Sequence, residues 1–475
     1  MINFRDVIVA DRKKRIRREG FSQGLIRGSG IPARRELPVV PFGRKPFVVC
    51  EVKRRSPSRG DIAPDLDPVR QAGLYMEAGV RSVSVLTEQD HFGGSLKDLM
   101  EVKNAWPGLS VLRKDFLFSR EDIETSFLAG ADAVLLIASI LSLEDLAALM
   151  ESAAGFGMTA LVEVHSVEDV RKAEILKPRL LGINSRNLET FAIDKLHPLF
   201  LRRHVSWDAD VIFESGITCG EDAVLAYSSG FSGILVGEAA VRYPGLPAEL
   251  AAAADAGAGR GFWDLLARRK KGNKPLVKIC GLTRKEDVLL ADTLGADILG
   301  FILAPSPRRT QAAFIAGIGP TRALKAGIVV LDEKASALPP DADALLREGV
   351  LDVIQFHGTE HPKACFGMAF PYYKALSLSV PGDAGRLAEF SCPRVLIDAP
   401  KSGMGSALPG ELIREAASIK PLWLAGGIGP DNVSRIIREY HPELIDSASR
   451  LELSPGVTDP HRVKRFFLEL DHALS

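Results

Sequence analysis

Residues 133–164 read AVLLIASILSLEDLAALMESAAGFGMTALVEV. Two short aliphatic runs, Ala133–Ile137 and Ala160–Val164, flank an amphipathic segment that opens with Ser142-Leu-Glu-Asp. A serine followed by carboxylates marks a helix start. The hydroxyl accepts from a free backbone N–H, and the acids face the positive end of the helix dipole. The stretch is therefore a strand–helix–strand unit, which joins two parallel strands.

The unit recurs along the whole chain. In the first half the strand runs are Val48–Glu51, Ser82–Leu86, Ser110–Leu112, Ala133–Ile137, Ala160–Val164, Leu180–Ile183, Val211–Phe213 and Gly233–Val236. In the second half they are Leu276–Ile279, Ile298–Ile302, Gly327–Val330, Val353–Phe356, Tyr372–Ala375, Val395–Ile397, Leu422–Leu424 and Leu444–Ile445. Asp67-Pro68 and Ser119-Arg-Glu-Asp open further helices, and Gly79, Gly130 and Gly230 close others. Eight units per half predict an α/β chain of two tandem (β/α)8 TIM barrels. An open doubly wound sheet is the alternative that the pattern alone leaves. Residues 1–45 precede the first strand and read as an N-terminal helical extension, ending in the Pro/Gly-rich Leu37–Pro46. The junction is the polar run RRKKGNKP, Arg268–Pro275, which gives expected domains 1–268 and 275–475.

Composition agrees with this and narrows the function classes. The chain has 475 residues, 46% of them hydrophobic, which suits two barrels of about 200–250 residues. Lys+Arg and Asp+Glu both total 60, so no global field draws in nucleic acid or a membrane. The basic runs Arg12–Arg18 and Arg268–Lys274 read as a solvated helix face and a linker. The opening MINFRDVIVADRKKRIRR lacks the apolar core of a signal peptide. The richest apolar stretch, Ala248–Ala258, carries Glu249 and Asp255 and does not read as a membrane span. The five cysteines are scattered, with no CxxC pair, and point to a reducing cytoplasm.

Barrel active sites lie at the C-terminal ends of the strands. In the first half those ends carry Glu51 and Lys53 with Ser56, then Arg113-Lys114-Asp115, Glu163, Asn184 with Arg186, Glu214-Ser215-Gly216 and Gly237-Glu238. One charge at a strand end faces water more often than not; six converging on one rim read as a site. Lysines that donate protons beside glutamates that accept them suit proton-transfer chemistry. Glycines after strands 7 and 8 suit a phosphate held by backbone N–H groups. A small phosphorylated substrate is expected, with no metal and no cofactor, since no ligand cluster is visible.

The motifs CEVKRRSPSRG, SVSVLTEQDHFGGS, VLRKDF, ALVEVH, GINSRNL, FESGI and LVGEA, in this order, resemble indole-3-glycerol-phosphate synthase over nearly all of residues 1–265. The resemblance implies ring closure, decarboxylation and dehydration of a carboxyphenylamino-deoxyribulose phosphate. It implies Lys114 as the acid for ring closure and Glu163 as the acid/base for dehydration. Glu51, Lys53, Asn184, Glu214 and Ser215 would hold and polarise the substrate. Lys53, Ser56, Gly216 and Gly237 would meet phosphate, and Arg186 would join the binding set. Phe92 and Phe116 are candidates to pack the anthranilate ring, though lone aromatics are more often core.

In the second half the strand ends carry Lys278-Ile-Cys280-Gly281-Leu-Thr-Arg284, Arg308, Asp398, Gly426-Gly427 and Ser449-Arg450. A lone cysteine is usually an inert small hydrophobe. As a base it needs its pKa lowered by positive charge, for which Lys278, Arg284 and Arg308 are the candidates. KICGLTR, GFILAPSPR, IQFHG, LIDAP…GMG, LAGGI and DSASRLE…PG resemble phosphoribosylanthranilate isomerase over residues 275–475. The resemblance implies an Amadori rearrangement with Cys280 as base and Asp398 as acid. Arg308 would bind the anthranilate carboxylate, and Gly426, Gly427 and Ser449 would cradle phosphate. Two departures from the family pattern stand out: Ser402-Gly403-Met404-Gly405 in the loop after the Asp398 strand, and Arg450 in place of a small residue.

The product of the implied isomerase is the substrate of the implied synthase, so the fusion joins consecutive steps. Three rivals remain at this level: a pair of generic sugar-phosphate barrels, a second barrel that is only a scaffold, and a binding protein without catalysis.

Overall fold

The structure, a computed structural model, describes residues 4–23, 36–43, 47–57, 60–187, 192–255, 261–331, 337–365, 370–380, 382–399 and 408–474. The chain forms two compact units, Met1–Arg260 and Gly261–Ser475.

In the first unit eight parallel strands close a barrel. They are β1 (Phe47–Val52), β2 (Ser82–Leu86), β3 (Ser110–Lys114), β4 (Ala133–Ile137), β5 (Thr159–Val164), β6 (Leu180–Asn184), β7 (Asp210–Glu214) and β8 (Gly233–Val236). Closure is direct: Phe47 of β1 stands opposite Gly233 of β8. Side chains alternate across a strand with period two. Val49, Leu112, Leu161, Leu180, Ile212 and Leu235 form one apolar cluster within this barrel. Two residues further along the same strands stand Glu51, Lys114 and Glu163, and likewise Glu214 and Gly237. Asn184 lies four residues beyond Leu180. The same periodicity that fills the barrel thus puts the polar residues on its C-terminal rim.

The predicted helix starts are capped as expected. Asp67 accepts from the N–H groups of Val69 and Arg70. Ser119 and Ser142 accept from those of Asp122 and Asp145. No helix among the described residues is long and apolar enough to cross a membrane.

The N-terminal extension contributes a helix, Phe4–Glu19. Its basic run is only partly the solvated face expected. Arg12 is buried, with Nε 3.2 Å from Asp115 and Nη2 3.3 Å from Asp122. Burial alone would raise the Asp115 carboxyl; Arg12 and Arg113 outweigh it and hold it below the usual carboxylate range. Removing one partner of a buried pair strands the other charges, at about 3–5 kcal/mol. Arg12→Ala is therefore expected to lower the unfolding free energy of the first unit by about 3 kcal/mol or more. Urea denaturation followed by circular dichroism checks this, and a loss below about 0.5 kcal/mol would contradict it.

The second unit closes a second barrel of eight parallel strands. They are β9 (Leu276–Cys280), β10 (Ile298–Ile302), β11 (Leu324–Val329), β12 (Val353–Phe356), β13 (Tyr372–Ser377), β14 (Val395–Asp398), β15 (Trp423–Leu424) and β16 (Leu444–Ser447). Leu276 of β9 stands opposite Leu444 of β16. Val277, Ile279, Ile354, Phe356, Ile397 and Ile445 belong to one large apolar cluster. The alternate residues on these strands include Lys278, Gln355 and Asp446, all buried.

One strand start differs from the sequence reading by more than two residues. β11 begins three residues before Gly327, because Lys325, which interrupts the apolar run, sends its ammonium to the Gly319 carbonyl 2.6 Å away. The helix Phe262–Arg269 falls in the second compact unit, which begins at Gly261. Its Trp263 packs 6.0 Å from the Trp423 ring of β15, an apolar anchor that the polar run after it obscures.

Candidate active sites

Lys114 lies between two carboxylates at the rim of the first barrel. Its Nζ is 2.8 Å from Glu214 Oε2 and 3.2 Å from Glu163 Oε2. Burial would discharge this ammonium, but Glu214, Glu163 and Glu51 together outweigh burial and raise its pKa. Burial also pushes both glutamates up. For Glu163 the pull of Lys114 and His165 wins, and its carboxyl stays well below the usual range. For Glu214 burial and the neighbouring Glu163 charge win over Lys114, and its carboxyl is raised. One lysine thus faces one firmly ionised and one reluctant carboxylate, the split that acid–base catalysis uses.

Glycines make the room. A Cβ on Gly182 would stand 1.9 Å from Glu214 Oε1, so the β6 glycine is what lets Glu214 turn inward. A Cβ on Gly237 would stand 2.7 Å from Glu51 Oε1. Glu51 itself accepts from Lys53 Nζ at 2.8 Å. Asn184 accepts from the backbone N–H of Arg186 at 3.0 Å, which fixes the turn after β6. Ser215 and Gly216 follow β7 with φ of 68° and 79°. The left-handed region is unusual for serine, and such strain persists where the surroundings impose it. The Ser215 carbonyl accepts from Ser185 Oγ at 2.9 Å. Ser56 is buried in a short hairpin, Arg55–Ser56 with Gly60–Asp61. Phe116 packs against the barrel's apolar cluster, and the Phe92 N–H donates to Glu88.

In the second barrel Cys280 ends β9, two residues after Lys278. Lys278 Nζ is 2.5 Å from Asp446 Oδ2 inside the barrel. Asp398 ends β14, with its Oδ2 3.3 Å from His357 Nε2, near but off the line of a well-formed hydrogen bond. His357 is held in turn: its Nδ1 is 2.9 Å from Gln355 Nε2, and the Tyr373 hydroxyl donates to Gln355 Oε1 at 2.9 Å. An amide nitrogen only donates, so Nδ1 accepts in this arrangement and Nε2 is the nitrogen on the Asp398 side. Gly426 follows β15 with φ 91°, and a Cβ there would meet Ala399 at 2.6 Å and Asp398 Oδ1 at 3.2 Å. Gly427 has φ 63°, and its carbonyl accepts from Asn432 Nδ2 at 3.0 Å. Ser449 opens a short 3-10 turn after β16 and is exposed, as is Arg450.

Residues 36–252 match the family model of indole-3-glycerol phosphate synthase, and residues 277–469 match that of N-(5'phosphoribosyl)anthranilate (PRA) isomerase. A tryptophan biosynthesis protein of Phytophthora nicotianae is 30% identical over 484 residues, which cover 86% of this chain and 88% of that one. The chain belongs to both families, one barrel to each. An indole-3-glycerol phosphate synthase of Carboxydothermus hydrogenoformans is 43% identical over 202 residues, 42% of this chain and 75% of that one. A multifunctional tryptophan biosynthesis protein of Schizosaccharomyces pombe is 32% identical over 468 residues, 89% of this chain and 59% of that one. The chain spans about three fifths of the length of the multifunctional relatives it matches.

The synthase barrel brings together Glu51, Lys53, Lys114, Glu163 and Glu214 as the strand ends imply, with Asn184, Ser215, Gly216 and Gly237 at the same rim. The isomerase barrel corrects one expectation. The Cys280 thiol is not lowered: burial pushes it up to about 11, against the pull of Lys278, with Asp446 and Asp398 adding to the rise. Two of the three expected cations are engaged elsewhere. Arg284 pairs with Asp287 at 2.7 Å, and Arg308 grips Glu452 with two 2.7 Å bonds, from Nε and Nη2. Lys278 is itself tied to Asp446. The departure Ser402-Gly403-Met404-Gly405 lies outside the described residues.

Sequence reasoning gave no role to His165, Gln355, His357, Tyr373 or Glu452. Period-two spacing was the available signal for two of them, since His165 follows Glu163 by two residues and His357 follows Gln355 by two.

Cys280 is partly exposed, while Cys50, Cys219, Cys365 and Cys392 are buried. Iodoacetamide is therefore expected to label Cys280 first, at a rate that climbs with pH toward about 11 as the thiolate fraction grows. Peptide mass mapping across a pH series checks this. A labelling rate already flat above pH 7 would mean a lowered thiol.

Proposed function

We propose that this chain catalyses two consecutive steps of tryptophan biosynthesis. The isomerase barrel opens the aminoribose ring of N-(5-phosphoribosyl)anthranilate. Asp398 protonates the ring oxygen, Cys280 takes the proton from C2, and the enolamine becomes the ketose, 1-(2-carboxyphenylamino)-1-deoxyribulose 5-phosphate. Arg308 binds the anthranilate carboxylate through Nη1, the nitrogen that Glu452 leaves over. Gly426, Gly427 and Ser449 receive the phosphate.

The synthase barrel closes that ketose onto its aromatic ring. Lys114 gives a proton to the carbonyl oxygen as the carbon–carbon bond forms, and carbon dioxide leaves from the former anthranilate carboxylate. The new hydroxyl then departs as water to give indole-3-glycerol phosphate. Glu163, ionised at rest, relays a proton from the carbon beside the ring nitrogen to the leaving hydroxyl, and Lys114 regains its proton from solvent. Glu51, Asn184, Glu214 and Ser215 hold and polarise the substrate. Lys53, Ser56, Arg186, Gly216 and Gly237 bind it and its phosphate. Reactions of this kind with free thiols suit the cytoplasm, where we place the protein.

The observation that carries this reading is Lys114 set between Glu163 and Glu214 on a rim whose strands match the synthase family. The test is turnover by the purified full chain supplied with N-(5-phosphoribosyl)anthranilate. Indole-3-glycerol phosphate with one carbon dioxide per molecule is the expected product. Disappearance of substrate with no ketose and no indole product would overturn the reading.

A further inference from the structure

His165 sits at the turn that leaves β5, two residues beyond Glu163 and nearly buried. Its Nε2 is 2.8 Å from Glu163 Oε1, the oxygen that Lys114 does not touch. Its Nδ1 is 3.3 Å from the Arg186 carbonyl, on the turn after β6. A carbonyl oxygen and a carboxylate both only accept. Each ring nitrogen therefore faces an acceptor, and the ring donates toward Glu163 or toward the Arg186 carbonyl.

The residue is anchored from behind. Its backbone N–H donates to Asp169 Oδ2 at 2.9 Å, in the first turn of the helix Val167–Leu176. Its carbonyl accepts from His197 Nε2 at 2.8 Å, at the start of the helix His197–Arg202. The ring thus has two fixed backbone bonds and two ring bonds. Neither ring bond is spent on solvent.

We propose that His165 is a positioning residue of the synthase: its ring holds one oxygen of Glu163 and ties that carboxylate to the Arg186 turn, so that the other oxygen stays aimed at Lys114. The proposal rests on the synthase reading above. Glu163 has two oxygens and several rotamers. Lys114 alone cannot choose among them, because it is shared with Glu214. With His165 in place the carboxylate is gripped at both oxygens. The titratable groups facing Glu163 are then Lys114 from β3, Glu214 from β7 and His165 from the turn after β5; Glu51 of β1 faces Lys114. Asp169 and His197 face only the backbone of His165.

The experiment uses the full chain with His165→Ala and His165→Gln. Synthase kcat and KM are measured for the carboxyphenylamino-deoxyribulose phosphate from pH 5 to 9, with thermal unfolding as the check on folding. His165→Ala is expected to lower kcat about tenfold or more with KM little changed. The acid limb of kcat should move to higher pH by about 1 unit or more, because a hydrogen bond that favours the ionised Glu163 is gone. His165→Gln restores an N–H donor beside Glu163. It should recover most of kcat and bring the acid limb back toward its wild-type position. Folded variants with wild-type kcat and an unmoved acid limb would overturn the proposal. So would a fall in kcat that Gln does not relieve and that leaves the limb in place, since that is loss of packing alone. A wild-type chain without synthase turnover would instead overturn the functional reading, and the role of His165 with it.

Discussion

Lys114→Ala is expected to cut synthase turnover by about 10²–10⁴ while isomerase turnover stays at the wild-type level. The size follows from what the side chain does. It is the one cation between Glu163 and Glu214 among the contacts described, and it is placed to protonate the carbonyl oxygen during ring closure. Its loss also leaves two buried carboxylates facing each other, so Glu214, already raised, should take up a proton. Glu163→Gln should give a loss in the same range by removing the group that moves protons in the dehydration. Both residues lie in the unit Met1–Arg260 and so outside the isomerase barrel. Assay of the two half-reactions on the same preparation separates the outcomes. Synthase turnover within a few-fold of wild type in either variant would reduce that residue to a structural ion pair.

Cys280→Ser is expected to cost the isomerase about 10²-fold or more and to spare the synthase. A buried cysteine acting only as a small hydrophobe would tolerate serine at little more than a packing cost. A base would not, because a serine hydroxyl is far less acidic than even a thiol raised to about 11. The raised thiol sharpens the expectation. Little thiolate is present at neutral pH before substrate arrives, so turnover by wild type depends on what stabilises the anion as it forms. Lys278, two residues earlier on β9, is the group placed to do so. Wild-type isomerase turnover in a folded Cys280→Ser chain would assign the base to some other residue.

The barrels were legible in the sequence because the signal is repeated and local. All sixteen strand runs appear as strands, and most boundaries agree within two residues. The rim residues were legible for the same reason: Val49 and Glu51, or Leu161 and Glu163, differ by one period, so an apolar interior predicts a polar rim. What escaped is non-local. Nothing at Arg12 distinguishes it from the exposed Lys13 and Lys14 beside it until Asp115 and Asp122 are folded against it. Arg308 reads as a free anion binder until Glu452, 144 residues later, takes two of its bonds. The lowered thiol expected at Cys280 failed because counting nearby cations in sequence ignores both their partners and the burial of the sulfur.

The central claim is that two independent sites on one chain act in succession, the second barrel before the first. The most direct test mixes two inactive chains. Lys114→Ala should accumulate the ketose from N-(5-phosphoribosyl)anthranilate and stop there, and Cys280→Ser should barely begin. Mixed in equal amounts, they should form indole-3-glycerol phosphate, the ketose passing from one chain to the other. Mixed chains that make no indole-3-glycerol phosphate, although wild type does, would contradict two separable sites.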